Sequence, residues 1–184
     1  ADQYDAFKNE LLTIQGVKMV GGSSRVPSGQ LLDSQGAQAE VNGEMLPTPV
    51  VIKSLSVDPD FIPTYQMEMA SGRNFSDNFA TDSTSFVLNE KSVEVIGWGN
   101  PEDAIGQNMI YAGVRGKVIG VVKDFHFESL QSEISPIIMV NRPNQMRNLS
   151  IKIEGTNIRS AIQQVEELYA NFSPNAPLNY NFLD

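Results

Sequence analysis

Residues 117–130, KVIGVVKDFHFESL, decide how the chain is read, because they join an apolar strand to a face on which Asp124, His126 and Glu128 alternate with Phe125 and Phe127. Val118 to Val122 reads as a strand buried on both faces. Carried on in extended form, it places the three polar residues at i, i+2 and i+4 on one side, which is one way a strand presents metal ligands. The competing reading is an ordinary half-buried strand end running into a loop. His126 is the only histidine, so a site here would draw on carboxylates and suit calcium or magnesium better than zinc. A Ser-His-Asp arrangement can be drawn from Ser23, Ser24 or Ser129, yet no GxSxG elbow accompanies it. The expectation is therefore no catalytic residue, no metal ligand and no cofactor-binding residue.

Composition narrows the function classes. With 184 residues, 41% hydrophobic and 19% charged, the chain can bury a core and form one domain or two small subdomains. The balance of 13 basic to 22 acidic residues, a net charge of -9, repels phosphate backbones and excludes nucleic acid as a partner. The absence of cysteine removes disulfides, thiolate zinc sites and a cysteine nucleophile. The only glycine-rich stretch before serines, Gly21 and Gly22, lacks the lysine and following helix that cradle a nucleotide phosphate. No apolar run approaches the ~20 residues that cross a bilayer, and the start, ADQYDAFKNELL, has no signal-peptide pattern. The abrupt start and finish suggest a domain cut from a longer protein.

Working outward, the two ends carry the clearest periodicity. Tyr4, Phe7, Leu11 and Ile14 recur at helical spacing, Asp2 can cap the first turn, and Gly16 can end the helix before a strand at Val17 to Val20. At the far end Leu149, Ile151 and Ile153 alternate. A helical stripe from Ile158 to Phe172 follows, and then Leu178, Tyr180 and Phe182 alternate again, giving strand, helix, strand. Between the ends, residues 21–38 read as a long loop rich in Gly, Ser and Gln, and residues 49–57 as a strand. A short helical turn is expected over 58–65, strands over 86–89 and 136–140, and a helix over 90–96 ended by Gly97. The middle reads as an insertion. The fold class is α+β with two subdomains, residues 1–56 with 131–184 and an inserted 57–130.

The stretches SVDPDFIPTYQMEMASGRNFS, FVLNEKSVEVIGWGNPEDAIGQNM and KVIGVVKDFHFESL, in that order, resemble the periplasmic core domain of ABC transporter permeases of the macrolide-exporter (MacB-like) and FtsX-like type. The two ends, YDAFKNELLTIQGVKMVGGSSRVPSG and LSIKIEG through LNYNFLD, resemble the first and last elements of that domain. The resemblance implies a porter subdomain built from both chain ends and a sabre subdomain inserted between them. It also implies a strand before the first helix, which this sequence lacks, so one sheet edge is expected to be open. Residues 177–183 or Val17 to Val20 are the expected edge, and the fragment is expected to be mostly monomeric with weak self-association.

The function implied is the extracytoplasmic domain of a permease on the periplasmic side of the bacterial inner membrane, which relays conformational change and contacts an adaptor or cargo. Its implied partners are the parent permease's transmembrane helices, a cytoplasmic ATPase acting through them, and a periplasmic adaptor or lipoprotein cargo. Alternatives are a periplasmic lipoprotein- or peptide-binding, chaperone-like domain and a metal-dependent hydrolase. Candidate partner contacts are Ser28, Gly29, Gln30, Leu31 and Leu32 in the long loop, together with Trp98 and His126. Trp98 also reads as a core or hinge-packing residue. Met67 and Met69 read as core, and Glu166 and Glu167 as a solvated helix face. The sequons at Asn74, Asn148 and Asn171 are what chance supplies.

Overall fold

The N-terminal stripe forms α1 (Asp2–Thr13), which buries Leu11, is followed by buried Ile14, and leads through Gly16 into β1 (Val17–Ser23) in a computed structural model that describes residues 2–27, 30–31, 33–128 and 133–183. β1 is longer than the expected strand. It runs on through Gly21 and Gly22 because glycine is what the neighbours allow: a Cβ at Gly21 would stand 2.8 Å from the Cα of Phe61, and one at Gly22 would overlap the Tyr4 hydroxyl. Absent side chains let α2 (Phe61–Thr64) and α1 close on the strand.

Two hairpins follow from turn chemistry the sequence reading did not use. β2 (Ala37–Val41) and β3 (Glu44–Pro47) are joined by Asn42 at φ 53° and Gly43 at φ 82°. β7 (Asn108–Tyr111) and β8 (Val114–Val122) are joined by Ala112 at φ 50° and Gly113 at φ 77°. Two consecutive left-handed residues are what a two-residue turn of the hairpin type needs, since its twist matches that of the strands.

The central elements agree closely with the residues that specify them. β6 (Phe86–Asn89) passes straight into α3 (Glu90–Ile96), with Asn89 as its cap and Gly97 at φ 87° ending it. β4 (Lys53–Val57), β5 (Met69–Gly72), α4 (Pro101–Ala104), β9 (Ile137–Asn141), β10 (Asn148–Ile153) and α5 (Ile158–Phe172) complete the set. The strands make a mixed sheet in the order β10-β1-β4-β9-β6-β8-β7-β2-β3, with β5 paired to β8. This is an α+β architecture built on a ten-stranded sheet.

The sheet is not equally joined along its width. β1 and β10 pair over the whole of both strands, and β4 and β9 pair in parallel over five positions from Lys53 with Ile137 to Val57 with Asn141. β1 meets β4 only through Ser23 and Val57, supported by backbone bonds from Ser24 to Ser56 and from Asp58 to Gly22. The apolar cores divide at the same line. Leu11, Ile14, Val17, Val20 and Ala161 form one cluster that draws on α1, the residue just after it, β1 and α5, with partly buried residues of β10 packed against it and the Phe7 ring edge-on to Tyr169 and tilted against Phe172. The other two clusters lie within residues 31–140. The expected subdomain boundary at residues 56 and 57 falls inside β4, whose Ser56 and Val57 are buried.

Two expectations fail. No strand forms at 177–183. Instead Tyr180 donates to Glu166 at 3.1 Å and Phe182 shares a shallow hollow with Ile158 and Ile162, so the tail lies along α5 by its side chains and makes no sheet ladder among the described residues. The open edge is also elsewhere: β1 is internal, and the terminal strands of the sheet order are β10 and β3.

Candidate functional site

Of the two readings of Asp124, His126 and Glu128, the extended ligand-presenting face is not formed, because β8 ends at Val122 and the polar residues are taken up separately. Asp124 caps α3: its Oδ1 accepts the Lys91 N–H at 2.8 Å and its own N–H donates to Glu90 Oε2 at 2.9 Å. Burial raises the Asp124 carboxyl above its ordinary value, against the opposing bond from Lys91. Glu128 points the other way, accepting from Lys53 Nζ and from the Leu31 N–H, both at 2.9 Å. The Lys53 bond, then the Leu31 bond, hold its carboxyl below the usual range. Phe127 is buried and His126 is exposed. The Ser23 hydroxyl donates to the Arg25 carbonyl at 2.7 Å, a local turn contact. Ser129 lies outside the described residues.

Other candidate contacts separate in the same way. Ser28, Gly29 and Leu32 lie outside the described residues. Leu31 is 2% exposed and packs in the cluster that contains Leu55, Phe61 and Phe127. Trp98 is half-buried against the core, and its indole N–H donates to the Glu40 carbonyl at 2.7 Å, tying the end of α3 to β2. Gln30 lies on the wall of a concavity of 610 Å³.

That concavity sits where the chain-end core meets the rest of the sheet. Arg25 follows β1, Arg147 precedes β10, and Arg142 follows β9, so three strand ends bring three arginines to its lining. The rest of the lining includes Ser54 and Ser56 of β4, Asp33 and Gln35 of the long connection, and Tyr111 at the end of β7. The frame is well held. Ser56 donates its hydroxyl to Gln145 Oε1 at 2.6 Å, the Ser24 hydroxyl accepts the Ser56 N–H at 3.1 Å, and Asn148 Nδ2 donates to the Ser24 carbonyl at 3.0 Å. The Ser54 N–H and hydroxyl both reach the Asp33 carbonyl, at 2.8 and 3.2 Å.

Charge within the concavity is opposite to that of the whole chain. Arg25 is the one wall arginine with an acidic partner among the described residues: its Nε donates to Asp33 Oδ2 at 3.0 Å and a second nitrogen to Oδ1 at 3.5 Å. That hydrogen bond raises the Arg25 guanidinium above its ordinary value. Arg142 and Arg147 make no side-chain ion pair among the described residues. Tyr111 is 2% exposed, and its buried hydroxyl has no hydrogen-bond partner among the described residues. The sequence reading missed this site because its residues lie at the ends of four separate strands, and only the crossing of the two cores brings them together.

A second polar cluster spans the same line. Asp58, just past β4, is 5% exposed and accepts from the Tyr4 hydroxyl at 2.8 Å and from Lys8 Nζ at 2.6 Å. Lys8 also reaches Asp60 Oδ2 at 2.5 Å. Burial pulls the Lys8 ammonium down, but the bonds to Asp58 and Asp60 outweigh it and leave it above its ordinary value. α1 is thereby fastened to the strand across the seam.

This is the architecture of a transporter permease's extracytoplasmic domain. A family model described as the MacB-like periplasmic core domain matches residues 2–175, and the chain belongs to that family. No curated protein sequence matches the chain. Solved structures agree on the fold. The periplasmic region of MacB from Actinobacillus actinomycetemcomitans superposes with a TM-score of 0.63 at 15% identity, covering 92% of this chain and 74% of that one. The extracellular domain of the noncanonic ABC-type transporter YknZ from Gram-positive bacteria gives 0.61 at 19% identity, covering 91% and 82%. A domain of a putative permease from Porphyromonas gingivalis gives 0.58 at 16%, covering 86% and 72%.

Proposed function

We propose that this extracytoplasmic domain of a MacB-like permease performs no reaction of its own and relays conformational change on the periplasmic side of the inner membrane. It does so by moving its chain-end unit, α1, β1, β10 and α5, against the rest of the sheet. The observation that carries this reading is the joint between β1 and β4, a single strand pair at Ser23 and Val57, while the neighbouring pairings are extensive. A narrow joint between two separate cores is the place where a force applied at one chain end is taken up as rotation rather than as unfolding. In this reading the porter-like unit is that chain-end core and the sabre-like unit is the remainder. The ATPase acts from the cytoplasm through the membrane helices.

The concavity at the joint is the proposed contact face for an adaptor or cargo, since its wall changes shape when the two units move. The expected loop contact is retained only in part, at Gln30. Removing residues 28–36 would delete Leu31 from the core, so the surface is better tested by side-chain changes. Self-association of the isolated domain stays weak and uses the open edge of β10.

The test is a lock across the joint. Ser23 and Val57 face each other between the two backbone bonds on either side, a close pair about 4.5 Å apart at Cα in an antiparallel ladder. Such spacing accepts a disulfide. Ser23→Cys with Val57→Cys in the cysteine-free domain should block transport when oxidised and restore it on reduction. Full transport by the oxidised, locked permease would refute the relay.

A further inference from the structure

We propose that the concavity at the joint binds a small solute through its carboxylate or phosphate oxygens, received by Arg142 and Arg147, and that the bound anion clasps the two units together. The inference rests on the reading of this concavity as the domain's recognition face. Three arginines stand against one aspartate here, in a chain of net charge -9, and Asp33 already occupies Arg25. Clustered like charges repel, so a wall that holds them without acidic partners is stabilised by an anion that supplies the missing charge. Guanidinium forks match carboxylate and phosphate oxygens two at a time.

The volume, 610 Å³, exceeds what a single ion fills and suits a multi-atom solute. Position then gives the consequence. Arg147 belongs to the β10 side and Arg142 to the β9 side, so an anion touching both spans the two units.

The experiment is a titration of the isolated chain with sodium phosphate and, separately, sodium citrate, followed by amide shifts in NMR at low ionic strength. The expected result is saturable binding of at least one probe, with shifts confined to residues 24–25, 54–56, 111 and 142–148. The probe that binds distinguishes a phosphate from a carboxylate ligand. Arg142→Gln with Arg147→Gln should weaken binding by about tenfold or more, while Arg159→Gln on exposed α5, which removes a charge elsewhere, should leave it unchanged. Absence of saturable shifts with both probes, or equal binding by the double-arginine and Arg159 variants, would overturn the proposal. Transport measured with the joint locked answers the relay question separately, so either can fail without the other.

Discussion

Asn89 has no exposed surface and organises four bonds at the centre of the sheet. Its Oδ1 accepts from Ser92 N, Ser92 Oγ and Ile137 N, and its Nδ2 donates to the Ser135 carbonyl. It is at once the cap of α3 and the tie between β6 and β9. Asn89→Ala removes a helix cap and strands a buried N–H, and the expected loss is about 3 kcal/mol by chemical denaturation. Asp82 is 1% exposed and carries a different dependence. Its bonds from Arg73, then from the Ser76 N–H, outweigh burial and hold its carboxyl below the ordinary value. A depressed folded-state pKa adds stability that is present above the unfolded value and lost as pH falls through the folded one. Asp82→Asn should therefore cost about 2 kcal/mol at pH 7, allowing for screening at the partly exposed Arg73. The gap from the parent chain should close below about pH 4, as urea midpoints across pH will show.

At the scale of elements, the sequence was readable wherever local pattern and tertiary packing agree. The apolar stripes of α1 and α5, the β6–α3 passage with Asn89 and Gly97, and the alternation of β10 all sit where their side chains demand. The hairpin at Asn42–Gly43 was equally legible in its Asn-Gly pair and went unread because the flanking strands are short, Ala- and Glu-bearing, and half exposed. The strand expected at 177–183 failed for a physical reason: alternation supplies a face, but a ladder needs an edge, and α5 offered the aromatic side chains a surface first. Period-two reasoning left two readings of Asp124, His126 and Glu128 open because it cannot see that β8 stops at Val122. Gly21 and Gly22 looked like loop residues and proved to be a strand pressed by α2 and Tyr4. Gly21→Ala forces Phe61 backbone to shift and should cost about 3 kcal/mol, with the thermal midpoint falling while the secondary-structure spectrum is kept.

In the whole molecule, two cores are joined through the Ser23–Val57 strand pair, the packing of α2 on β1 at Gly21, the Tyr4–Asp58–Lys8 cluster and the arginine-lined concavity. Family resemblance pointed to two subdomains, but the joint itself was invisible in sequence, because it is made by the register of β1 against β4 and by strand ends far apart in the chain. This domain has no cysteine of its own, so labels introduced within it report their chosen sites there. Spin labels placed through cysteines at Gln163 on α5 and Glu44 on β3 report the distance between units, and a pair at Glu44 and Glu94 reports one unit alone. In the full permease, electron-electron resonance distances should change for the Gln163–Glu44 pair between nucleotide-free and ATP-bound states while the Glu44–Glu94 distance stays fixed. An unchanged Gln163–Glu44 distance in a permease that still hydrolyses ATP would contradict the relay.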